Sequence, residues 1–453
     1  MPFHLVLLAD LAGRAPAGGD ERRLRSVDRD SFDRLLAQIG PRIETQLPYA
    51  AALEIASWED FSPDGLATRV PALAELMAAR DAVGDSGAMR ERLDRAGVAV
   101  ELQEAGADEA APTSQPPTGE PGDLLDSMLE GAQTRPGAPR RRYADRELDD
   151  LISQIADDSA SDVDFASQDR WREAIDREIE ERVRAVLHDP AFRRVESAWT
   201  GLRELLRSGD TDDAVRVEVL ALTREELLEE SLSGELERTL HGERAETRGA
   251  PGIDLVIADF DLGDRDEDRA AVSRLGALAN RGKWPVLVGA DASLSAPDRQ
   301  PSPEFEELRQ SAEAKRVALC CPRVLLRLPY GRDTVPADRF DFEETPGESE
   351  PDYTWASAAP VVGRAVVRAI TAEGGLEGIT RHAGIGGLPV HVYRAQGETR
   401  SRHPVEHVMT ETLLKELVAR GLLPLAGVVA SDEAQLVSLR TLGGTSLLEA
   451  RSS

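Results

Sequence analysis

The sequence predicts an α/β protein with a small N-terminal α/β domain and a larger layered α/β domain. Short apolar runs typical of buried strands alternate with segments whose apolar residues recur every three or four positions, as in amphipathic helices. Two such runs, Asp254–Phe260 and Trp284–Gly289, flank one predicted helix, Asp268–Asn280. This strand–helix–strand spacing favours parallel pairing in a layered domain.

The first hundred residues contain the elements of the small domain. Ser62 followed by Pro63 is typical of a helix start, because the hydroxyl accepts a backbone N–H and proline fits the first helical position. The pair Val70-Pro71 predicts a break in that segment. The other predicted elements are the strands Phe3–Leu8 and Leu53–Ser57, a helix capped by Asp30 that ends at Ile39, and a helix over about Gly87–Ala96.

Residues 106–142 are rich in proline, glycine and charge, which predicts a flexible linker. Within it, residues 123–132 predict an amphipathic helix. An isolated amphipathic helix in a linker is commonly a docking element, although it can also pack back on the body of the protein. Its apolar face consists of Leu124, Leu125, Met128 and Leu129. The predicted domains are therefore 1–105 and 143–453, joined by 106–142.

The larger domain shows further local signals. Thr223 with Glu226 three residues later predicts a capping box at a helix start. Arg327 lies in an apolar run and needs a carboxylate partner if it is buried, although the sequence does not identify one. The other predicted helices cover 171–187, 192–206, 355–370 and 405–420, and the other strands cover 214–222, 317–329, 388–393 and 422–430.

The charge and apolar content of the sequence disfavour nucleic acid and membranes as binding partners. The formal net charge of -29, from 83 acidic and 54 basic residues, disfavours binding to nucleic acid and to anionic membranes. No apolar run approaches the ~20 residues that span a bilayer, and no basic segment precedes the first apolar run, so we expect a cytoplasmic protein without a signal peptide. The adjacent Cys320 and Cys321 fit a reducing compartment. No cofactor or metal is predicted.

One short motif suggests a different class of protein. His403, Glu406 and His407 match H-x-x-E-H, which on a helix could bind zinc with the glutamate as base of a metallopeptidase. Pro404 would place His403 at the helix cap rather than within the helix. We keep the zinc peptidase as a remote alternative.

Three segments near the N-terminus resemble a known family. FHLVLLADLAGR (Phe3–Arg14), VDRDSFDRLLAQIGPR (Val27–Arg42) and the helix start in Glu59–Leu66 follow one another in the same order and with similar spacing as in the small subunit of the type VI secretion contractile sheath. This resemblance covers roughly residues 3–95.

A second resemblance, to the large sheath subunit, covers roughly residues 120–437. The signature LHHPEFQ-LE-TWRGL of that subunit is similar to Leu187–Leu202, where Asp189 stands in place of the second histidine. The other matching segments are Val215–Leu228, Pro322–Gly331, Phe340–Glu344, Gly386–His391, Pro404–Glu406 and Gly421–Leu425.

The two resemblances imply a fused, non-enzymatic structural subunit that assembles with other sheath subunits around an inner tube, on a baseplate. They also imply that residues 123–132 dock a disassembly AAA+ ATPase. In the family, terminal arms exchange strands between protomers. This sequence begins almost at the first strand and ends at Ser453, so we expect a C-terminally shortened large subunit. The alternative is a non-polymerising adaptor or cap at the sheath end or baseplate.

Overall fold

The computed structural model describes residues 2–14, 23–98, 165–209, 213–229, 233–242, 252–297, 299–346, 352–428 and 431–452. They form two compact units, one of Met1–Pro71 with Arg182–Ser453 and one of Ala72–Glu181. The α-helices are α1 Phe32–Ile39, α2 Pro63–Arg69, α3 Pro71–Asp81, α4 Ser86–Arg95, α5 Phe165–Leu187, α6 Pro190–Arg207, α7 Arg224–Leu228, α8 Ser233–Glu237, α9 Asp266–Gly282, α10 Ala292–Ser295, α11 Pro303–Gln310, α12 Ala358–Glu373, α13 Glu411–Ala419 and α14 Leu447–Ser452.

The strands are β1 Phe3–Ala9, β2 Arg25–Val27, β3 Arg42–Glu44, β4 Ala52–Glu54, β5 Val215–Ala221, β6 Leu255–Leu262, β7 Val286–Ala290, β8 Val317–Cys321, β9 Val324–Leu325, β10 Trp355–Ala356, β11 Gly384–Ile385, β12 His391–Ala395, β13 Glu398–Arg402, β14 Leu422–Gly427 and β15 Ala434–Leu436. Nine of them form one sheet in the order β11-β15-β14-β8-β7-β6-β1-β5-β2. The six strands from β14 to β5 in that order pair in parallel, while β2, β15 and β11 are antiparallel at the two edges. The predicted α/β fold class is confirmed.

The first strand of the chain lies inside this sheet. β1 pairs along its full length with β5, from Phe3 with Val215 to Ala9 with Ala221, and on its other side with Leu255–Ala258 of β6. Every residue of β1 is buried, as a strand covered on both faces requires. Strands from both predicted domains therefore share one sheet, and the boundaries at 105 and 143 stay a prediction.

Helices cover both faces of the sheet. On one face Val6 and Leu8 of β1 belong to a core with apolar side chains of α9, α11 and α13. The other face packs against α12, which also contacts α6. Gly363 of α12 allows this close approach, because a Cβ there would lie 2.4 Å from Cδ1 of Ile257 in β6.

The helix starts predicted at Ser62 and Thr223 are confirmed, whereas the helix predicted to be capped by Asp30 has Ser31 at its N-cap. Ser62 accepts the N–H of Gly65 at the start of α2, and the Thr223–Glu226 capping box is complete on both sides. Asp189 caps α6 through the backbone N–H groups of Ala191 and Phe192. Val70-Pro71 separates α2 from α3 as expected.

The second unit is described over residues 72–98 and 165–181. Leu73 and Leu76 of α3 and Leu93 of α4 are fully buried. Arg80 Nε lies 2.5 Å from Asp176 Oδ1, so α3 and α5 are joined by an ion pair in this unit.

Across the described ranges we find no helix with the length and apolarity needed to cross a membrane.

Two predicted elements are wrong in extent. The strand expected over 317–329 ends at Cys321, because Pro322 has no backbone N–H to continue the ladder, and only Val324–Leu325 pairs again. The helix expected over 405–420 begins only at Glu411. Val405 instead forms an antiparallel bridge with Val324. Two smaller shifts are the helix at 355–370, whose first residues form β10, and the strand at 388–393, which begins at His391.

Candidate functional site

The junction between residues 2–71 and residues 182–452 lies within one compact unit and contains an aromatic cluster. The ring of Phe32 in α1 meets that of Trp199 in α6 edge-on at 5.5 Å, and Phe61 meets Phe192 at 5.8 Å. The indole Nε1 of Trp199 donates to the carbonyl of Leu11, 2.9 Å away, just after β1. The aromatic contacts and the satisfied indole both stabilise the junction.

A carboxylate joins the two parts at a second place. Asp64, in the first turn of α2, accepts the backbone N–H of Asp338 at 2.8 Å and that of Arg339 at 2.9 Å. Arg339 Nη1 also lies 2.6 Å from the hydroxyl of Thr68, one turn further along α2. The start of α2 thus holds the loop that precedes Phe340.

Arg327 forms a buried ion cluster with two carboxylates, as its predicted burial required. Its Nε lies 2.5 Å from Glu196 Oε1 and its Nη1 lies 2.6 Å from Glu344 Oε2. Both glutamates are 2% exposed. Although burial alone would raise it, Arg327 and the neighbouring His188 hold the pKa of Glu344 at about 2. Burial alone would lower the pKa of Arg327, but Glu196 and Glu344 raise it.

The cluster brings three separate sequence motifs together. Glu196 comes from the segment Leu187–Leu202, Arg327 from Pro322–Gly331, and Glu344 from the end of Phe340–Glu344. His188 Nε2 lies 3.3 Å from Glu344 Oε1 and adds a fourth group from the first of these segments. The residues that carried the resemblance to the large sheath subunit therefore share a structural role.

A polar cavity of about 490 Å³ lies at the carboxyl ends of the parallel strands. Asp10 follows β1, Asp259 and Asp261 lie on β6, and Asp291 follows β7. The chain passes from β1 to β5 on one side and later places β6, β7 and β8 on the other, so the strand order reverses between β1 and β6. In open α/β sheets this point, at the carboxyl edge, is where ligands bind.

Two carboxyls of the cavity have perturbed acidity. Burial and the neighbouring Asp261 raise the pKa of Asp259 to about 7. Burial also raises the pKa of Asp261 to about 7, with Asp291 adding to the effect and Arg323 opposing it. The sequence analysis predicts neither residue as part of a site, because Asp259 lies in the predicted apolar strand Asp254–Phe260 and Asp261 directly follows it. The signal was present as two acids, two positions apart, in a buried strand.

Of the two candidate sites that the sequence suggests, the structure describes the residues of one. The four apolar residues proposed for docking, Leu124, Leu125, Met128 and Leu129, lie outside the described residues. His403, Glu406 and His407 do not lie on a helix, and Glu406 forms an ion pair with Arg323, whose Nε lies 2.9 Å from its Oε2. Within the described ranges, no group of three or more histidines, cysteines or acids has an arrangement that would hold a metal ion.

Comparisons with known proteins define the class. Residues 169–443 match the VipB family, described as a tail sheath N-terminal domain, and residues 1–96 match the VipA family of the type VI secretion system. The first match covers more than half of the chain. The chain therefore belongs to the tail sheath family of the type VI secretion system and is a fused structural sheath subunit, with a small-subunit part preceding the large one.

Two individual relatives agree with this assignment. The type VI secretion system sheath protein TssC1 of Pseudomonas aeruginosa is 23% identical over 339 residues, which are 67% of this chain and 68% of that protein. The sheath protein TssB1 of the same organism is 33% identical over 91 residues, which are 18% of this chain. The chain spans about half the length of TssB1, 53%.

Proposed function

We propose that this chain is a pre-joined building block that polymerises with other sheath subunits into a contractile tube around an inner tube, anchored on a baseplate. The position of β1 supports this proposal most strongly. A strand of the small-subunit part is hydrogen-bonded on both sides by strands of the large-subunit part, so both parts contribute to one sheet. A shared sheet is suited to transmitting force between the two parts.

Covalent fusion suits this role. Tethering two partners turns their association into an intramolecular event at an effective concentration of about millimolar, and it fixes a one-to-one ratio. The work of such a subunit comes from rearranged interfaces rather than from a catalysed reaction. We therefore propose a non-enzymatic protein of the cytoplasm, where two free buried cysteines are compatible with reducing conditions.

Negative-stain electron microscopy with sedimentation tests this proposal, on the purified chain alone and with its inner-tube protein. We expect tubes or stacked rings in at least the second condition. A chain that stays monomeric in both conditions would overturn polymerisation. It would instead favour a non-polymerising adaptor or cap at the sheath end or baseplate.

We also propose that residues 123–132 dock a disassembly ATPase of the AAA+ class. The support is the predicted apolar helical face within a linker, placed before the large-subunit part. Deleting residues 123–132 should abolish ATPase binding in a pull-down. Deleting residues 112–121, a proline-rich stretch of equal length, is the matched control and should leave binding intact. Equal binding by both variants would contradict the proposal.

A further inference from the structure

The cavity at the carboxyl edge of the sheet contains arginines that already have partners. Of the side chains that line it, five are arginines, and each contacts a carboxylate. The pairs are Arg193 with Asp352 at 3.3 Å, Arg194 with Asp10 at 3.9 Å, Arg265 with Asp268 at 3.2 Å, Arg323 with Glu406 at 2.9 Å, and Arg224 with Asp268. Each of these cations is therefore already paired with a carboxylate, although Arg323 still lowers the pKa of Asp261.

Asp259 and Asp261 lack such a partner. In the part of the chain that the structure describes, no lysine, arginine or histidine nitrogen lies within 4.0 Å of either carboxylate. The Oδ1 atom of Asp261 is buried and has no hydrogen-bond partner among those same residues. Both aspartates are half-buried and have the hydroxyl of Ser357 as their hydrogen-bonding neighbour, so the partner that the pair lacks is a cation.

Asp261 packs closely against a neighbouring strand on one side, and the polar cavity lies beside it. A Cβ on Gly289 would lie 2.3 Å from both Asp261 Oδ1 and the hydroxyl of Ser357, so only glycine lets these two oxygens come so close to the strand. The charged groups that influence Asp261 are Arg323, Asp291 and Glu406, and Asp259 is influenced by Asp261 itself. A volume of about 490 Å³ is within the range of small-molecule sites.

A second cavity of about 240 Å³ adjoins the first and is mostly apolar. It shares Asp259 and Ser357 with the polar cavity. Its apolar lining includes Leu325, Pro360, Val361 and Leu388. Asp259 thus stands where the polar cavity meets the mostly apolar one, while Asp261 lines only the polar cavity. Glu204, Arg327 and Arg364 also line the second cavity.

We propose that this double cavity binds a small aliphatic amine, with its ammonium group between Asp259 and Asp261 and its hydrocarbon chain in the apolar cavity. An ammonium carries three donors, which match two carboxylates and the hydroxyl oxygen of Ser357. The raised pKa values of both aspartates, each about 7, agree with a pair that lacks its cation. This ligand site is independent of sheath assembly.

Isothermal titration calorimetry of the full chain with ethylamine, butylamine and hexylamine tests the proposal. We expect affinity to rise by up to about fourfold for each added methylene, because the chain enters an apolar space. Affinity should also be about tenfold higher at pH 8 than at pH 6, because the aspartates must ionise to hold the cation. Butan-1-ol, the neutral analogue, should not bind.

Substitutions at the two aspartates test whether the amine binds between them. Asp259→Asn and Asp261→Asn keep the side-chain shape and should each weaken butylamine binding at least tenfold. Asp341→Asn is the control, because that side chain is 91% exposed, and it should bind as the native chain does. If either cavity variant fails to fold, the alcohol and pH comparisons on the native chain decide the question.

Several results would overturn the proposal. One is the absence of measurable heat with butylamine at millimolar concentration, and another is equal binding by all three variants. Tighter binding of magnesium chloride would replace the amine with a metal ion. Tighter binding of Nα-acetyl-lysinamide than of butylamine would replace the free amine with a lysine side chain of a partner protein.

Discussion

Arg327 connects segments that are distant in the sequence. Its carboxylate partners lie 131 and 17 positions away, and its guanidinium stacks 4.3 Å from the ring centre of Tyr330. Burying two carboxylates is costly unless a cation pairs with them, and Arg327 is the cation that contacts both. The cluster therefore specifies how these segments fit together.

Replacing this arginine should be far more damaging than replacing an exposed one. Arg327→Met leaves Glu196 and Glu344 buried without a cation, and we expect a loss of about 3–5 kcal/mol in the free energy of unfolding. Arg332→Met is the matched control, because that side chain is 77% exposed and pairs with an exposed aspartate, so its loss should stay below about 1 kcal/mol. Urea unfolding followed by circular dichroism measures both.

The pH dependence of stability should reveal Asp261. Its pKa is about 7 in the folded protein against 3.8 ordinarily, so the folded state binds the extra proton and stability falls as the pH rises from about 4 through 7. Asp261→Asn does not titrate. We expect the stability advantage of this variant over the native chain to be about 1–3 kcal/mol larger at pH 8 than at pH 5, because most of the loss falls between these two pH values. Thermal melts at both pH values measure this, and an equal gain at pH 5 would contradict it.

For single residues, the sequence shows which side chain requires a partner but does not identify that partner. It indicates that a buried Arg327 requires a carboxylate, yet no local pattern distinguishes Glu196 and Glu344 from the other acidic residues of the chain. The same limit explains why Asp259 and Asp261 were missed. Both lie on β6, and the cavity beside them exists only after β1 and the start of α12 come next to that strand.

Helices and strands are predicted well where their signals are local. Ser62-Pro63 and Thr223 with Glu226 each mark a helix start, because the cap and its N–H donors lie within one turn. The failure at 405–420 has a distant cause. The N–H of Glu406 donates to the carbonyl of Arg323, 2.9 Å away, so this backbone is extended. The cap that the structure uses is Thr410, which accepts the N–H of Leu413.

The start of α2 offers a test of how the two parts of the chain are joined. Asp64→Ala removes the acceptor of two backbone N–H groups, and we expect a loss of about 1–3 kcal/mol in unfolding free energy. Asp338→Ala is the control: it truncates an exposed side chain in the same loop but keeps the backbone N–H. Urea titration compares them, and equal losses would show that the loop itself is responsible.

The whole sheet is a property that no segment of sequence determines alone. The βαβ spacing predicted parallel pairing of β6 with β7, and the structure confirms it. Nothing in the first strand, FHLVLLA, indicates that it enters the sheet between β5 and β6. Its continuous apolar character shows only that both of its faces are covered.

Because β1 is an inner strand, the two parts should stay together after the chain is cut. We propose to insert a protease site within residues 106–142 and to cleave the purified protein. The fragments should co-elute in size-exclusion chromatography in native buffer and separate only in denaturant. Separation in native buffer would show that the covalent connection, rather than the sheet, holds the parts together.

The central position of β1 also has a consequence for synthesis. Its partners begin at Val215 and Leu255, more than 200 residues after Phe3. At about 5–20 residues per second, a ribosome needs roughly 10–50 seconds to make that stretch. During this time the apolar strand has no sheet to enter, so it is a natural target for chaperones. When β6 leaves the ribosome, β1 is still part of the same nascent chain as its partner strands.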